Sequence, residues 1–203
     1  MSTEEHWQRA WRGLDPAAAS WHAERLDVSL KMIAEASLES AASIIDVGGG
    51  ASTLPRDLLE AGYRVTVLDV ANAALEASRQ RLGERAELVS WIVGDITTVS
   101  LASQSYDLWH DRAVFHFLTE GAQRAAYRTR LLRALRPGGQ VVLSTFADDG
   151  PLRCSGLEVR RYSPEALLQE LGPAFEGLDA RRFTHLRPDG DSQRFVAVRA
   201  RLR

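Results

Sequence analysis

Apolar residues in this chain follow two alternating rhythms. From Ser43 onward, short runs rich in valine, isoleucine and leucine, such as "SIIDV" and "RVTVLDV", are separated by longer stretches in which leucine and alanine return at helical spacing. The runs predict strands at residues 43–47, 64–70, 87–93, 106–110 and 140–146. The first two are almost continuously apolar, which suits strands buried on both faces. The helices between them carry end signals. Asn72 is placed to cap "AALEASRQRL" with Gly83 just past its end, and Thr119 to cap a helix that "RPGG" at 136–139 terminates. Strands and helices in alternation predict βα units stacked around a mainly parallel sheet, an α/β fold.

After residue 146 the rhythm breaks. A loop-like stretch at 147–162 precedes a helix opened by Ser163-Pro164 and ending near Gly172. Two further runs, 175–183 and 193–199, are separated only by the polar "THLRPDGDS" and predict an antiparallel hairpin at one sheet edge, bringing the strands to seven. Residues 1–42 read as mostly helical and hold Trp7, Trp11 and Trp21.

At 203 residues the chain is expected to form one domain over 1–203, with 43–203 as core and 1–42 as a helical lid or cap. Hydrophobic residues at 45% and charged ones at 26% are those of an ordinary globular protein, not a fibre or a disordered chain. The 25 basic and 27 acidic residues are interspersed, so no basic face points to nucleic acid. No apolar run approaches the roughly 18–20 residues of a membrane span, and the charged, Trp-containing start is unlike a signal peptide, which makes the cytoplasm the expected compartment. Cys154 is the sole cysteine, so no intramolecular disulfide can form, and nothing resembles a metal-ligand set.

One stretch asks for a chemical reason. In "SIIDVGGGASTLP" three glycines directly follow the first strand, although ordering a glycine costs backbone entropy. Ligands of open α/β sheets bind beyond the carboxyl ends of the strands, and the first βα turn contributes backbone there. Glycines at that turn let the main chain approach a cofactor closely. A dinucleotide fingerprint G-x-G-x-x-G would need glycine where Thr53 stands, which weighs against a nicotinamide oxidoreductase.

The other letters fit a different cofactor. Asp46 before the glycines, Asp69 at the end of the second strand, "VGDI" after the third and "LRPGGQVVLSTF" around the fifth resemble, in that order, the motifs of class I S-adenosylmethionine-dependent methyltransferases. The resemblance covers roughly residues 43–199 and implies a Rossmann-like doubly wound sheet with helices on both faces. It implies that Asp46 with Gly48, Gly49 and Gly50 holds the amino-acid end of S-adenosylmethionine. Asp69, followed by Val70, would accept the ribose hydroxyls, and Asp95 would meet the adenine amino group with Ile96 beside the ring. The chain departs from many members at Ser52, where they carry a third glycine of the motif.

Acceptor-side candidates lie in "YDLWHDRAVFHFL", which is loosely similar to the Asp-Arg segment of the thiopurine and thiol methyltransferases. His110, Asp111, Arg112 and His116 interrupt an otherwise apolar run there. Arg112 could clamp an acidic substrate or pair with Asp111; His110 or His116 could act as a base or be a hydrogen-bonded core histidine. His110 is also counted among the cofactor contacts. Cys154, Arg161 and Tyr162 in the loop after the fifth strand, and Trp21 near the start, could wall a substrate pocket; Trp21 and His22 could also belong to a helical lid, or the tryptophans could anchor that helix to the sheet. The expected activity is methyl transfer to a small molecule by in-line displacement. A protein or peptide acceptor, or a cofactor-binding protein without transferase activity, are the alternatives.

Overall fold

A computed structural model of the protein describes residues 3–11 and 15–203. Seven strands form one sheet: β1 (Ser43–Val47), β2 (Arg64–Asp69), β3 (Val89–Val93), β4 (Tyr106–Arg112), β5 (Leu135–Phe146), β8 (Phe175–Leu186) and β9 (Ser192–Leu202). Their order is β3-β2-β1-β4-β5-β9-β8. The first five are parallel, and β9 and β8 close one edge as the antiparallel hairpin the sequence predicts. Order reverses between β1 and β4, so the crevice of a doubly wound sheet opens beyond Val47 and Arg112.

Helices cover both faces because successive residues in each central strand enter opposite cores. Ile45, Trp109, Val141 and Leu143 pack with α5 (Gly121–Ala134) and α6 (Pro164–Leu171) on one side. Ile44, Leu108 and Val142 pack with α2 (Asp27–Ala34), α3 (Leu54–Glu60) and α4 (Asn72–Leu82) on the other. The remaining helix, α1 (Thr3–Ala10), lies at the start of the chain.

Several boundaries differ from the sequence reading, each for a local reason. Strand β3 begins at Val89 because Gly83–Leu88 winds into a 3-10 helix. Strand β4 continues past His110 to Arg112, paired with Ser144 of β5. Strand β5 starts at Leu135, yet its pairing with β4 jumps from Tyr106↔Leu135 to Leu108↔Gln140. Proline lacks an N–H for the ladder and Gly138 takes φ +75, so the Pro-Gly-Gly turn bulges out between the two registers.

Two capping expectations are also corrected. Glu120, not Thr119, caps α5, in a reciprocal box with Gln123. Ala71 occupies the cap position of α4, and Asn72 is its first residue. The loop after β5 holds a small hairpin, β6 (Arg153–Cys154) with β7 (Leu157–Glu158). Ser155 and Gly156 both take positive φ at its tip, the geometry of a two-residue hairpin turn. Among the described residues no helix is long and apolar enough to cross a membrane.

Candidate active site

The crevice at the β1–β4 switch holds about 1320 Å³ of space out to its solvent mouth. Its floor comes from the ends of the first three strands: Asp46 and Gly48–Gly50 after β1, Asp69 and Val70 after β2, Asp95 and Ile96 after β3. His110 and Arg112 of β4, Cys154, and the N-terminal Trp7, Trp11, Trp21 and His22 complete the walls.

The glycines work by lacking side chains, not by offering amides. Gly48 and Gly49 both donate their N–H to Leu68 O, at 2.7 and 3.3 Å, which ties the turn to β2. The Gly50 N–H is among the backbone groups that pull the Asp69 pKa down. A Cβ on Gly48, held at φ +67, would run into Val114; one on Gly49 would overlap the Asp46 carboxylate; one on Gly50 would lie 2.7 Å from Asp69 Oδ2. Any side chain here fills the space beside two carboxylates.

Asp46 is buried, and its Oδ1 accepts from His110 Nδ1 at 2.7 Å. A carboxylate only accepts, so Nδ1 carries a proton; His110 Nε2 meets Ser29 Oγ at 2.8 Å. Both ring nitrogens are thus occupied within the protein. Asp46 Oδ2 is buried without a partner among the described residues, although it borders the crevice. Such a group costs free energy unless a ligand donor meets it.

Asp69 accepts from Ala71 N at 2.8 Å. Burial raises its pKa from the ordinary 3.8 to about 6, against the opposing pull of backbone N–H groups of Ala71, Gly50 and Val70. Asp95 is half-buried and accepts from Thr97 N and Oγ1, both at 2.7 Å and both on Oδ1. Three carboxylates therefore stand at the ends of three adjacent strands along one wall, Asp69 and Asp95 held by local backbone N–H groups and Asp46 by His110.

Arg112 donates from Nη1 to Trp21 O at 2.9 Å and lies over the Phe195 ring, 5.1 Å from its centroid. Burial lowers its pKa to about 10, while Cys154 and Asp46 pull it upward. Cys154 is buried at the crevice wall, and burial raises its thiol pKa.

Other sequence candidates stand elsewhere. Asp111 faces α5: Oδ1 accepts from Val114 N at 3.0 Å and Oδ2 from Tyr127 OH at 2.8 Å, whose oxygen accepts from Trp109 Nε1 at 2.7 Å. His116 is buried between Phe117 and Phe146; its Nδ1 accepts from Phe146 N at 3.3 Å, and burial followed by the charge of Arg112 holds its pKa at about 3. Arg161 is exposed and donates to Gly150 O, and Tyr162 packs in the core against Phe115. None of these four borders the crevice.

Residues the sequence reading passed over include Ser29 beneath His110, Val114 and Phe117 in the turn after β4, and Gln123 of α5. Trp7 was noted only as an aromatic; its ring meets both Trp21 and Phe117 edge-on, at 6.0 and 5.1 Å. A Gly-to-helix motif signals the floor of such a crevice, but nothing local signals which distant side chains roof it.

Residues 45–143 match the family model described as a methyltransferase domain. Over those residues, just under half of the chain, it resembles the class I S-adenosylmethionine-dependent methyltransferases. Over 174 residues it is 29% identical to a malonyl-[acyl-carrier protein] O-methyltransferase of Serratia marcescens, covering 86% of this chain and 57% of that protein. It is 30% identical over 160 residues to nodulation protein S of Rhizobium tropici, covering 79% of this chain and 63% of the relative. The chain thus spans about three fifths of the length of these relatives. Its fold is similar to that of the 1,6-didemethyltoxoflavin-N1-methyltransferase of Burkholderia thailandensis, solved with its acceptor and S-adenosylhomocysteine bound. The TM-score is 0.71 at 22% identity, over 98% of this chain and 84% of the other.

Proposed function

We propose that this methyltransferase moves the methyl group of S-adenosylmethionine to a small-molecule acceptor. The observation that carries the reading is the single wall formed by Asp46, Asp69 and Asp95 at three successive strand ends, with side-chain-free backbone between the first two.

The fit to the cofactor rests on two features. Asp46 Oδ2 is a buried carboxylate oxygen short of a donor, as an ammonium group requires, and the space beside it is kept open by Gly49 and Gly50. Asp69 would take the ribose hydroxyls and Asp95 the adenine amino group, with Val70 and Ile96 flanking. Asp95 Oδ2 carries no hydrogen bond among the described residues, which leaves it for such a donor.

When bound, S-adenosylmethionine supplies a methyl on a sulfonium, so that an acceptor lone pair forms the new bond as the carbon–sulfur pair returns to sulfur. The chain's own work is alignment and exclusion of water. His110 acts as a positioning residue: donating to Asp46 Oδ1, it aims Oδ2 into the crevice. Trp21, Arg112 and Cys154 form the acceptor end beyond it. His22 borders the same end; burial first, then Arg81, lowers its pKa, so it stands neutral and can take a proton from a protonated acceptor. A crevice roofed by three tryptophans suits a small acceptor, like the toxoflavin precursor named for the Burkholderia enzyme.

Calorimetry with S-adenosylhomocysteine and transfer of labelled methyl to fractionated extract test this reading. Binding, with label entering small molecules, is expected. Absence of binding would overturn the transferase reading, and label entering only macromolecules would overturn the small-molecule acceptor.

A further inference from the structure

Resting on that reading, the geometry points to an acceptor that carries a single carboxylate, gripped by Arg112 at the roof of the crevice. Arg112 has five N–H donors, of which only Nη1 finds an acceptor among the described residues, the Trp21 carbonyl. No carboxylate lies within ion-pair distance of it among those residues, although 16 arginine–carboxylate pairs occur elsewhere in them. The neighbouring Asp111 is turned away and spent on Tyr127 and the backbone of Val114.

Leaving a guanidinium without an anion in a largely apolar surround is costly, and one face over the Phe195 ring compensates only partly. Its charge is felt by the groups around it: Arg112 is among the causes that lower the pKa of His22, His116 and His185. Those imidazoles are held toward the neutral form, and Arg112 is the one cation among the described residues that line the crevice. One planar, forked cation matches one carboxylate; a phosphate dianion would need a second. The surrounding Trp7, Trp11, Trp21 and Phe117 offer ring faces and edges to the rest of the molecule, which suits a small acid with a flat or apolar body.

The test measures binding to the full chain, with and without S-adenosylhomocysteine, of a panel of small aliphatic and aromatic carboxylic acids, each paired with its primary amide. Calorimetry gives the affinities. At least one acid is expected to bind at least about tenfold more tightly than its amide. The preference should vanish in Arg112→Met and persist, weakened, in Arg112→Lys, while all three proteins still bind S-adenosylhomocysteine. No acid preferred over its amide, or a preference surviving in Arg112→Met, would overturn the inference. Failure of the wild type to bind S-adenosylhomocysteine would instead strike the transferase reading, and the acid preference can still be read on the ligand-free chain.

Discussion

Asp69 shows how a group proposed to bind a cofactor can weaken the fold that holds it. Its folded-state pKa of about 6 lies above the ordinary 3.8, so the folded chain holds the proton more tightly than the unfolded one. The stabilising contribution is complete below about pH 4 and is lost as pH rises through 6. At pH 7.5 the ionised carboxylate costs roughly 2–3 kcal/mol. Asp69→Asn keeps an oxygen for Ala71 N and removes the charge. It should raise the melting temperature at pH 7.5, and the gain should shrink toward pH 4.5; thermal scans across that range check it, and a gain independent of pH would show that charge is not the cause. The same substitution should weaken S-adenosylhomocysteine binding, because hydroxyl donors favour the ionised form. Asp111, also raised to about 6 by burial, serves the fold instead. Tyr127→Phe strips its Oδ2 of a partner and should lower stability by about 1–3 kcal/mol in urea titrations, with cofactor affinity unchanged. "WHDR" marks both residues as polar in an apolar strand. Alternation along β4 sends neighbours to opposite faces, so His110 and Asp111 diverge, which the letters alone do not reveal.

Among the elements, the turn from β1 into α3 was the most legible, because three glycines after an apolar run have few physical explanations. What the letters do not carry is how the glycines act. The natural expectation is amide donors for a ligand, yet the N–H groups of Gly48 and Gly49 are spent on Leu68. Empty space is the contribution that remains. Gly50→Ala places a methyl 2.7 Å from Asp69 Oδ2 and 3.0 Å from Ala74 Cβ, so it should lower S-adenosylhomocysteine affinity by at least about tenfold in calorimetry. Gly121→Ala, whose new methyl would meet nothing closer than the flexible Arg124 end at 3.9 Å, should leave that affinity unchanged. Equal binding by the Gly50 variant would mean the turn does not face the ligand. Helix caps were less legible for a related reason. Thr119 and Glu120 are both acceptable caps, and the choice falls to Glu120 because Gln123 can return the bond.

At the scale of the whole molecule, the mainly parallel sheet with its antiparallel edge follows from alternating elements and was readable, whereas the path of residues 19–26 over the crevice depends on contacts between distant positions. Three hydrogen bonds pin that stretch: Arg112 to Trp21 O at 2.9 Å, Thr53 Oγ1 to Ala23 O at 3.2 Å, and His185 Nε2 to Ser20 O at 3.0 Å. Their sequence separations are 91, 30 and 165, so no local pattern could announce them. Few buried contacts and a handful of long-range bonds place this segment at the low-stability end of the structure, where opening is cheap. A ligand that fills the crevice should suppress that opening, since Trp21, His22, Ala23 and Leu26 line the space it would take. Hydrogen exchange read by mass spectrometry should therefore show slower exchange over residues 19–26 with S-adenosylhomocysteine than without. His185→Ala, which removes one anchor from a residue outside the crevice lining, should speed exchange there by several-fold while the central strands keep their protection. Exchange that ignores both ligand and anchor would mean the segment is fixed by its own packing, and that the acceptor end is roofed by a rigid wall instead of a cover that opens.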